Sequence, residues 1–250
     1  MYYPTKEGQG EPMDNRRIYR TIRMAMKQLF PTEPKGNFAR MLTTLAALVA
    51  GIVQARSCQL PAIARKTPDM AKADSRIKRY SRWLQNERIE YEGYYLPFVS
   101  EILAHLATIR ELVFVIDGSE VGHHCITLMI SLIYHKRALP ITWLVVRGCK
   151  GHLPERVHLD LLTQLQTILP KDCRMVFLGD GEFDGIALQD ALETKGWRYV
   201  CRTAKNTQLY EEGRQFSFDD LLLQVDDQIC IPQVWFTKEG YGPVTVIATW

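Results

Sequence analysis

Leu112-Val113-Phe114-Val115-Ile116-Asp117-Gly118-Ser119 opens with five apolar residues, three of them β-branched, and stops at Asp-Gly-Ser. A run this short and this continuously apolar reads as a strand buried on both faces. It also marks a change of period along the chain. Cys125 to Tyr134 and Leu139 to Val146 are two more strand-like runs, separated by His135-Lys136-Arg137-Ala138, a link short enough for a hairpin. Val157, Leu161, Leu165 and Ile168 then mark a helix, and Met175 to Leu178 a buried strand ending in Gly179-Asp180-Gly181. Ile186 to Leu192 reads as a helix closed by Gly196, and Tyr199 to Arg202 as a further strand. Three sequential strands with tight links, then helix, strand, helix, strand, predict a mixed β-sheet flanked by helices rather than a doubly wound parallel sheet.

Upstream of residue 111 the spacing is helical. Ile18, Ile22, Met26 and Leu29 recur at helical intervals up to Pro31, Phe38 to Val53 forms a second apolar helix, and Pro61 opens a short third. From Lys72 to Leu84, Ala73, Ile77, Tyr80 and Leu84 fall on one face, with Lys72, Arg76, Arg79 and Trp83 on the adjoining one, and Asp74 is the only acid. Tyr91 to Leu106 reads as one last helix. The class is therefore α/β, with a helical, basic region over 1–110 and a mixed-sheet domain over 111–250. Its residues 205–250 are β-rich with acidic turns.

Composition narrows the function. With 250 residues, 46% hydrophobic and 24% charged, the chain can bury a large core and carries no low-complexity bias. The apolar stretch Met41 to Val53, flanked by Arg40 and Arg56, falls short of the roughly 20 residues that a bilayer span needs, so a core helix and no membrane role are expected. The opening Met1-Tyr2-Tyr3-Pro4-Thr5-Lys6 has no apolar targeting segment, which predicts a cytoplasmic protein. Six scattered cysteines form no Cys-x-x-Cys pair and argue against structural zinc. Residues 1–110 carry 18 Lys+Arg against 10 Asp+Glu, whereas residues 111–250 carry 13 against 18. A basic half suits a polyanion, and an acidic half joined to it suits carboxylates gathered around metal ions.

Asp117 and Asp180 each close a buried strand, and each precedes a glycine that lets a ligand approach the backbone. If their strands are neighbours, the two carboxylates converge. Mg²⁺ favours such oxygen donors together with water and substrate phosphates, and two ions about 4 Å apart suit phosphodiester chemistry. The plainer reading makes both residues ordinary turn formers, since Asp-Gly is a common turn dipeptide. Val113-Phe114-Val115-Ile116-Asp117 and Val176-Phe177-Leu178-Gly179-Asp180 also resemble motifs of haloacid-dehalogenase-type phosphatases. Those enzymes need a nucleophilic Asp two positions before the second Asp, and Val115 stands there.

A longer resemblance covers almost the whole chain. The basic segment from Lys72 to Glu87, the strand Val115-Ile116-Asp117-Gly118-Ser119, the hairpin Arg137-Ala138-Leu139-Pro140-Ile141, the block Leu178-Gly179-Asp180-Gly181-Glu182-Phe183-Asp184-Gly185 and the strand Gly196 to Arg202 follow in one order. Together they resemble DDE transposases of bacterial insertion sequences, in the subgroup whose RNase H-like domain is interrupted by a β-rich insertion. The resemblance implies an RNase H-like sheet, with Asp117 and Asp180 as catalytic residues and ligands of Mg²⁺ or Mn²⁺. It further implies cleavage at transposon ends, strand transfer into target DNA, a homodimer in the synaptic complex, and a place at the bacterial nucleoid. The family's third acid is a Glu in a Tyr-x2-Arg-x3-Glu-x6-Lys block beyond the insertion, and nothing up to Trp250 matches that block. The expectation is a chain with two thirds of a metal site and weak or absent cleavage. The alternatives are an inert DNA-binding fragment that acts as a relic or inhibitor, and a phosphodiesterase of another kind on the same fold.

Lys72, Arg76, Lys78, Arg79 and Arg82, with Trp83 beside them, are the candidate DNA-phosphate ligands; the plainer reading is a solvated helix face. His123 and His124 are expected in the turn after the first strand, because a Mg²⁺ site does not want imidazole. His152 and His158 are expected at the surface or at a helix start. Arg137, Arg147, Lys150 and Arg156 are expected near strand ends, where they could guide DNA toward the aspartates.

Overall fold

The computed structural model describes residues 15–30, 32–122, 124–148 and 153–250. The chain divides into two units, Met1–Ile102 and Leu103–Trp250.

The first unit is helical: α1 (Asn15–Gln28), α2 (Gly36–Ala55), α3 (Leu60–Lys66), α4 (Ala73–Leu84), α5 (Tyr91–Tyr94) and the start of α6 (Leu96–Ile109). Ala47 and Leu48 of α2, Ile63 and Ala64 of α3, and Tyr80 of α4 form a buried cluster that Tyr19, Ile52, Leu60, Ile77 and Trp83 complete. α2 runs for 20 residues, longer than the apolar stretch inside it, and so reaches the length and apolarity of a membrane span. Its Leu42, Ala46, Ala47, Leu48, Ala50 and Gly51 are nonetheless buried within this unit, as a core helix requires. The single helix expected over Tyr91 to Leu106 is two helices that break at Tyr95. Pro97 is the reason. It has no N–H to bond the Gly93 carbonyl in a continuing helix, but it fits the first turn of a new one.

The face of α4 also differs from expectation, because Leu84 and Ala73 are exposed while Arg76 turns inward with a side chain only 12% exposed. Burying a guanidinium requires partners for its donors. Arg76 donates to the Asp69 carboxylate and carbonyl and, at 2.7 Å, to the Ala64 carbonyl. Arg79 donates to the other Asp69 oxygen at 2.6 Å. Tyr80, fully buried, bonds its hydroxyl to Thr67 at 2.6 Å.

Burial alone would raise the Asp69 carboxyl, but hydrogen bonds from Arg79 and Arg76 outweigh it and hold the pKa below the usual aspartate value. A depressed carboxyl contributes stability that is present above its unfolded pKa, near 3.8, and lost as pH falls through the lower folded value. Asp69→Asn is expected to cost about 1–2 kcal/mol at neutral pH, the low end for charge-assisted bonds because the carboxylate is partly exposed. The gap from the parent should close on acidification. Urea unfolding of both proteins at pH 7 and pH 3 checks this, and a constant gap would refute it.

The second unit holds β1 (Leu112–Glu120), β2 (Cys125–Tyr134), β3 (Arg137–Arg147), α7 (Glu155–Ile168), β4 (Met175–Gly179), α8 (Ile186–Thr194) and β5 (Arg198–Cys201). The strands form one mixed sheet in the order β3-β2-β1-β4-β5, antiparallel through β1 and parallel from β1 to β5. This is the RNase H-like arrangement of three meandering strands extended by two crossovers. One face is dry: Leu112, Phe114, Ile116, Ile126, Leu128, Ile130, Leu132, Met175 and Phe177 are all buried. α7 packs over β2 and β3 on that face, where Thr142 donates to Gln164 at 2.9 Å, and α8 lies beside α7 against β5. The opposite face carries Val113, Val115, Val176 and Leu178, half-buried, and Val200, 61% exposed.

β6 (Leu209–Glu211), β7 (Arg214–Phe216), β8 (Gln228–Phe236) and β9 (Tyr241–Thr249) make a second sheet, ordered β7-β6-β8-β9. Its core of Leu209, Val234, Phe236 and Val246 packs on Ile186 of α8. Tyr241 ties the two sheets together, donating its hydroxyl to Glu193 at 2.8 Å and meeting the Tyr199 hydroxyl at 3.1 Å.

Candidate active site

β1 and β4 are adjacent and parallel, with Val115 opposite Leu178 as the last paired residues between them. Asp117 and Asp180 each lie two residues further on, so they are level with one another. Side chains alternate along a strand, so Asp117 shares the face of Val115, the side away from α7 and α8, while Asp180 follows directly on the end of β4. Both are exposed. β1 runs on to Glu120, four residues beyond the expected end at Ile116, and Asp117 stands opposite Met129 of β2. Asp117-Gly118 is therefore strand and not turn. The turn-residue reading holds only at Asp180, whose Oδ1 accepts the Glu182 N–H at 3.0 Å.

The register adds a residue that the motifs did not. Val200 of β5 stands opposite Leu178, and two residues on, Arg202 donates its N–H to the Gly179 carbonyl at 2.9 Å. Asp117 on β1, Asp180 just past β4 and Arg202 just past β5 thus stand level in a row along three parallel strands. Arg202 is exposed, and its side chain has no partner among the described residues. The only signal in the sequence was an Arg closing a strand, which is too common to notice.

The Asp180–Gly185 segment is pinned from below. Phe183 is fully buried, and its ring lies 5.1 Å from that of His158 on α7. A side chain at Gly179 would meet Phe183 Cβ at 2.9 Å, so this close return needs the glycine. Glu155, in the first turn of α7, accepts the Leu188 N–H at 3.0 Å and so satisfies the start of α8. Asp184 accepts from Thr203 at 2.6 Å, which commits it to the loop after β5. The Glu182 carboxylate lies 3.7–3.9 Å from where a Cβ on Gly118 would stand, beside Ile126 and therefore on the α7 side of the sheet. Neither acid joins the row.

His158 lies in the first turn of α7, within the expected helix start, but is buried, and its Nε2 has no partner among the described residues. Burial lowers its pKa against the upward pull of Glu182 and Glu155. A depressed histidine contributes stability that is present above its unfolded value near 6.5 and lost as pH falls toward the folded one. The protein should therefore lose up to about 1.4 kcal/mol per pH unit just below 6.5. His158→Phe, which keeps the aromatic contact, should remove that component; thermal midpoints at pH 7.5 and 5.5 would show an unchanged slope if the idea is wrong. The Cys201 thiol is pushed up to about 12 by burial, with Asp184 adding to the shift, and is not a nucleophile at neutral pH.

The donors in the row are carboxylate oxygens, which fit a hard divalent ion that completes its shell with water and phosphate. Among the described residues no three His, Cys, Asp or Glu gather closely enough to cage a metal by themselves. His124 is exposed in the β1–β2 turn, whereas His123, His152, Lys150 and Pro31 lie outside the described residues. Arg147 is exposed at the end of β3 nearest Asp117; Arg137 lies at the opposite end of the hairpin, away from it. Arg156 is exposed in the first turn of α7. In the helical unit, Lys72 just before α4 and Lys78 and Arg82 on it are exposed, while Arg76 and Arg79 are engaged with Asp69.

Residues 110–233, from two residues before β1 to the middle of β8, match the transposase DDE domain. The chain carries a transposase DDE domain. No curated protein matches it in a sequence search. The DDE match spans β1 and β4, and so includes Asp117, Asp180 and Arg202.

Proposed function

We propose that this transposase cuts DNA strands at the ends of its insertion sequence and joins them to target DNA, with Mg²⁺ or Mn²⁺ held by Asp117 and Asp180. The supporting observation is their level placement on two adjacent parallel strands. A divalent ion there supplies the Lewis acidity for phosphodiester displacement. Asp117 and Asp180 contribute negative oxygen donors on a rigid sheet, which fixes the reacting phosphate relative to them. Arg202 presents a guanidinium beside Asp180 and neutralises a non-bridging phosphate oxygen. Lys72 just before α4 and Lys78 and Arg82 on it hold the duplex through its backbone, with Arg79 in part and Arg76 as their structural support. The working form is a homodimer that pairs two transposon ends at the nucleoid, in the bacterial cytoplasm.

A second reading is an inert DNA-binding fragment, and one observation favours it: the described residues bring two carboxylates together, not three. A supercoiled plasmid carrying the coding region with its flanking DNA separates the two. Nicking that requires Mg²⁺ or Mn²⁺ supports the transposase reading. A gel shift without nicking supports the inert fragment and removes the catalytic one.

A further inference from the structure

We propose that a groove between α2 and α4 is a phosphate-binding site that seats the sugar–phosphate backbone of DNA. It rests on the reading of the chain as a DNA-acting transposase, and it adds a defined seat within the helical unit. The groove holds about 450 Å³, in the range of small-ligand pockets. Thr44 of α2 lines one side, and Ser75, Arg79, Arg82 and Asn86 line the other. These last four fall at i, i+4, i+7 and i+11, so α4 and its immediate C-terminal extension present them as one stripe.

The lining is rich in donors and contains no carboxylate. Arg82 is exposed and makes no hydrogen bond or ion pair among the described residues. Arg79 gives one terminal nitrogen to Asp69, and its Nε is buried without a partner. A guanidinium pair flanked by hydroxyls and an amide matches the oxygens of a phosphodiester. The apolar wall matches the deoxyribose: Trp83 donates its indole N–H to the Met41 carbonyl at 3.0 Å, which fixes the ring against the groove. Lys72 and Lys78, both exposed, lie to either side of the stripe. Arg76 points away into the Asp69 and Ala64 contacts, so the groove is distinct from that internal ion pair. A free phosphate ion would satisfy the guanidinium groups but leave the apolar wall uncovered, which favours the DNA backbone as the occupant.

The test uses the full chain and Arg82→Gln, a change at an exposed position that should leave the thermal midpoint intact. Binding of a labelled duplex is followed by fluorescence anisotropy between about 50 and 200 mM KCl. Arg82→Gln is expected to weaken binding about tenfold and to reduce the slope of log Kd against log salt by about one. Ser75→Ala should weaken binding without changing the slope. An unchanged Kd and slope in Arg82→Gln overturns the proposal. So does saturation of the groove by inorganic phosphate with no effect on DNA affinity, read from Trp83 fluorescence, because the groove is then a free-anion site. Nicking by the parent chain is the reference: no Mg²⁺- or Mn²⁺-dependent nicking with the Arg82 effect on binding intact removes the catalytic reading and leaves the groove standing.

Discussion

Asp117→Asn should reduce Mn²⁺ affinity by at least about 100-fold, the upper end of what loss of even an outer-shell partner costs. The substitution is nearly isosteric, and Asp117 keeps its backbone place opposite Met129, so the sheet has no reason to change. It removes the charge, and with it half of the pair of ligands on the row. Asp180→Asn should do the same, with its side-chain oxygen still able to accept the Glu182 N–H. Any metal-dependent nicking should disappear in both variants, while DNA affinity, which we propose that the helical unit carries, should stay as it was. Electron paramagnetic resonance of Mn²⁺ reads free against bound ion directly and does not depend on catalysis. If both variants bind Mn²⁺ as the parent does, the two aspartates are not the metal ligands.

Phe177→Ala should be the most destabilising single change in the sheet unit, by about 3–5 kcal/mol. Phe177 is fully buried in β4, opposite Phe114, on the face covered by α7 and α8. The strand is held by ladders on both sides and cannot collapse into the space that a benzyl group leaves, so the cost includes a cavity as well as lost burial. For a unit of this size the thermal midpoint should fall by roughly 10 °C. The same strand carries Asp180, so Mn²⁺ affinity should fall in parallel with stability. Denaturant unfolding followed by circular dichroism gives the number; a loss below about 1 kcal/mol would mean that the core is more plastic than its burial indicates.

How much could be read from the chain alone depended on how local each cause was. The strands at Leu112–Ile116 and Met175–Leu178 were legible because a continuous apolar run between Gly and Asp punctuation admits few other structures. The β2–β3 hairpin was legible from link length. The break at Tyr95 was visible in principle at Pro97, but the aromatic density around it looked like one helix. Arg76 was misjudged as a surface cation, because its burial depends on Asp69, seven residues away on a loop, and on the Ala64 carbonyl. The helix-start place of His158 was legible and its burial was not, for the same reason: its neighbour Phe183 is 25 residues further along the chain. In each case the side chain's type and spacing were clear, and its partner was not.

By itself, the sequence determined the α/β class, the order of strands and helices, the basic helical half, and the two aspartates as the residues most worth attention. Those follow from hydrophobic period and turn chemistry, which act over a few neighbouring residues. Only the tertiary structure decided that β1 and β4 lie side by side, that Asp117 and Asp180 stand level, and that Arg202 continues the row. It also decided that Glu182 and Asp184, one and three residues after Gly181, face other business. Strand pairing and register are set by which apolar faces meet across the whole sheet. A shift of one residue would turn every one of these side chains to the opposite side.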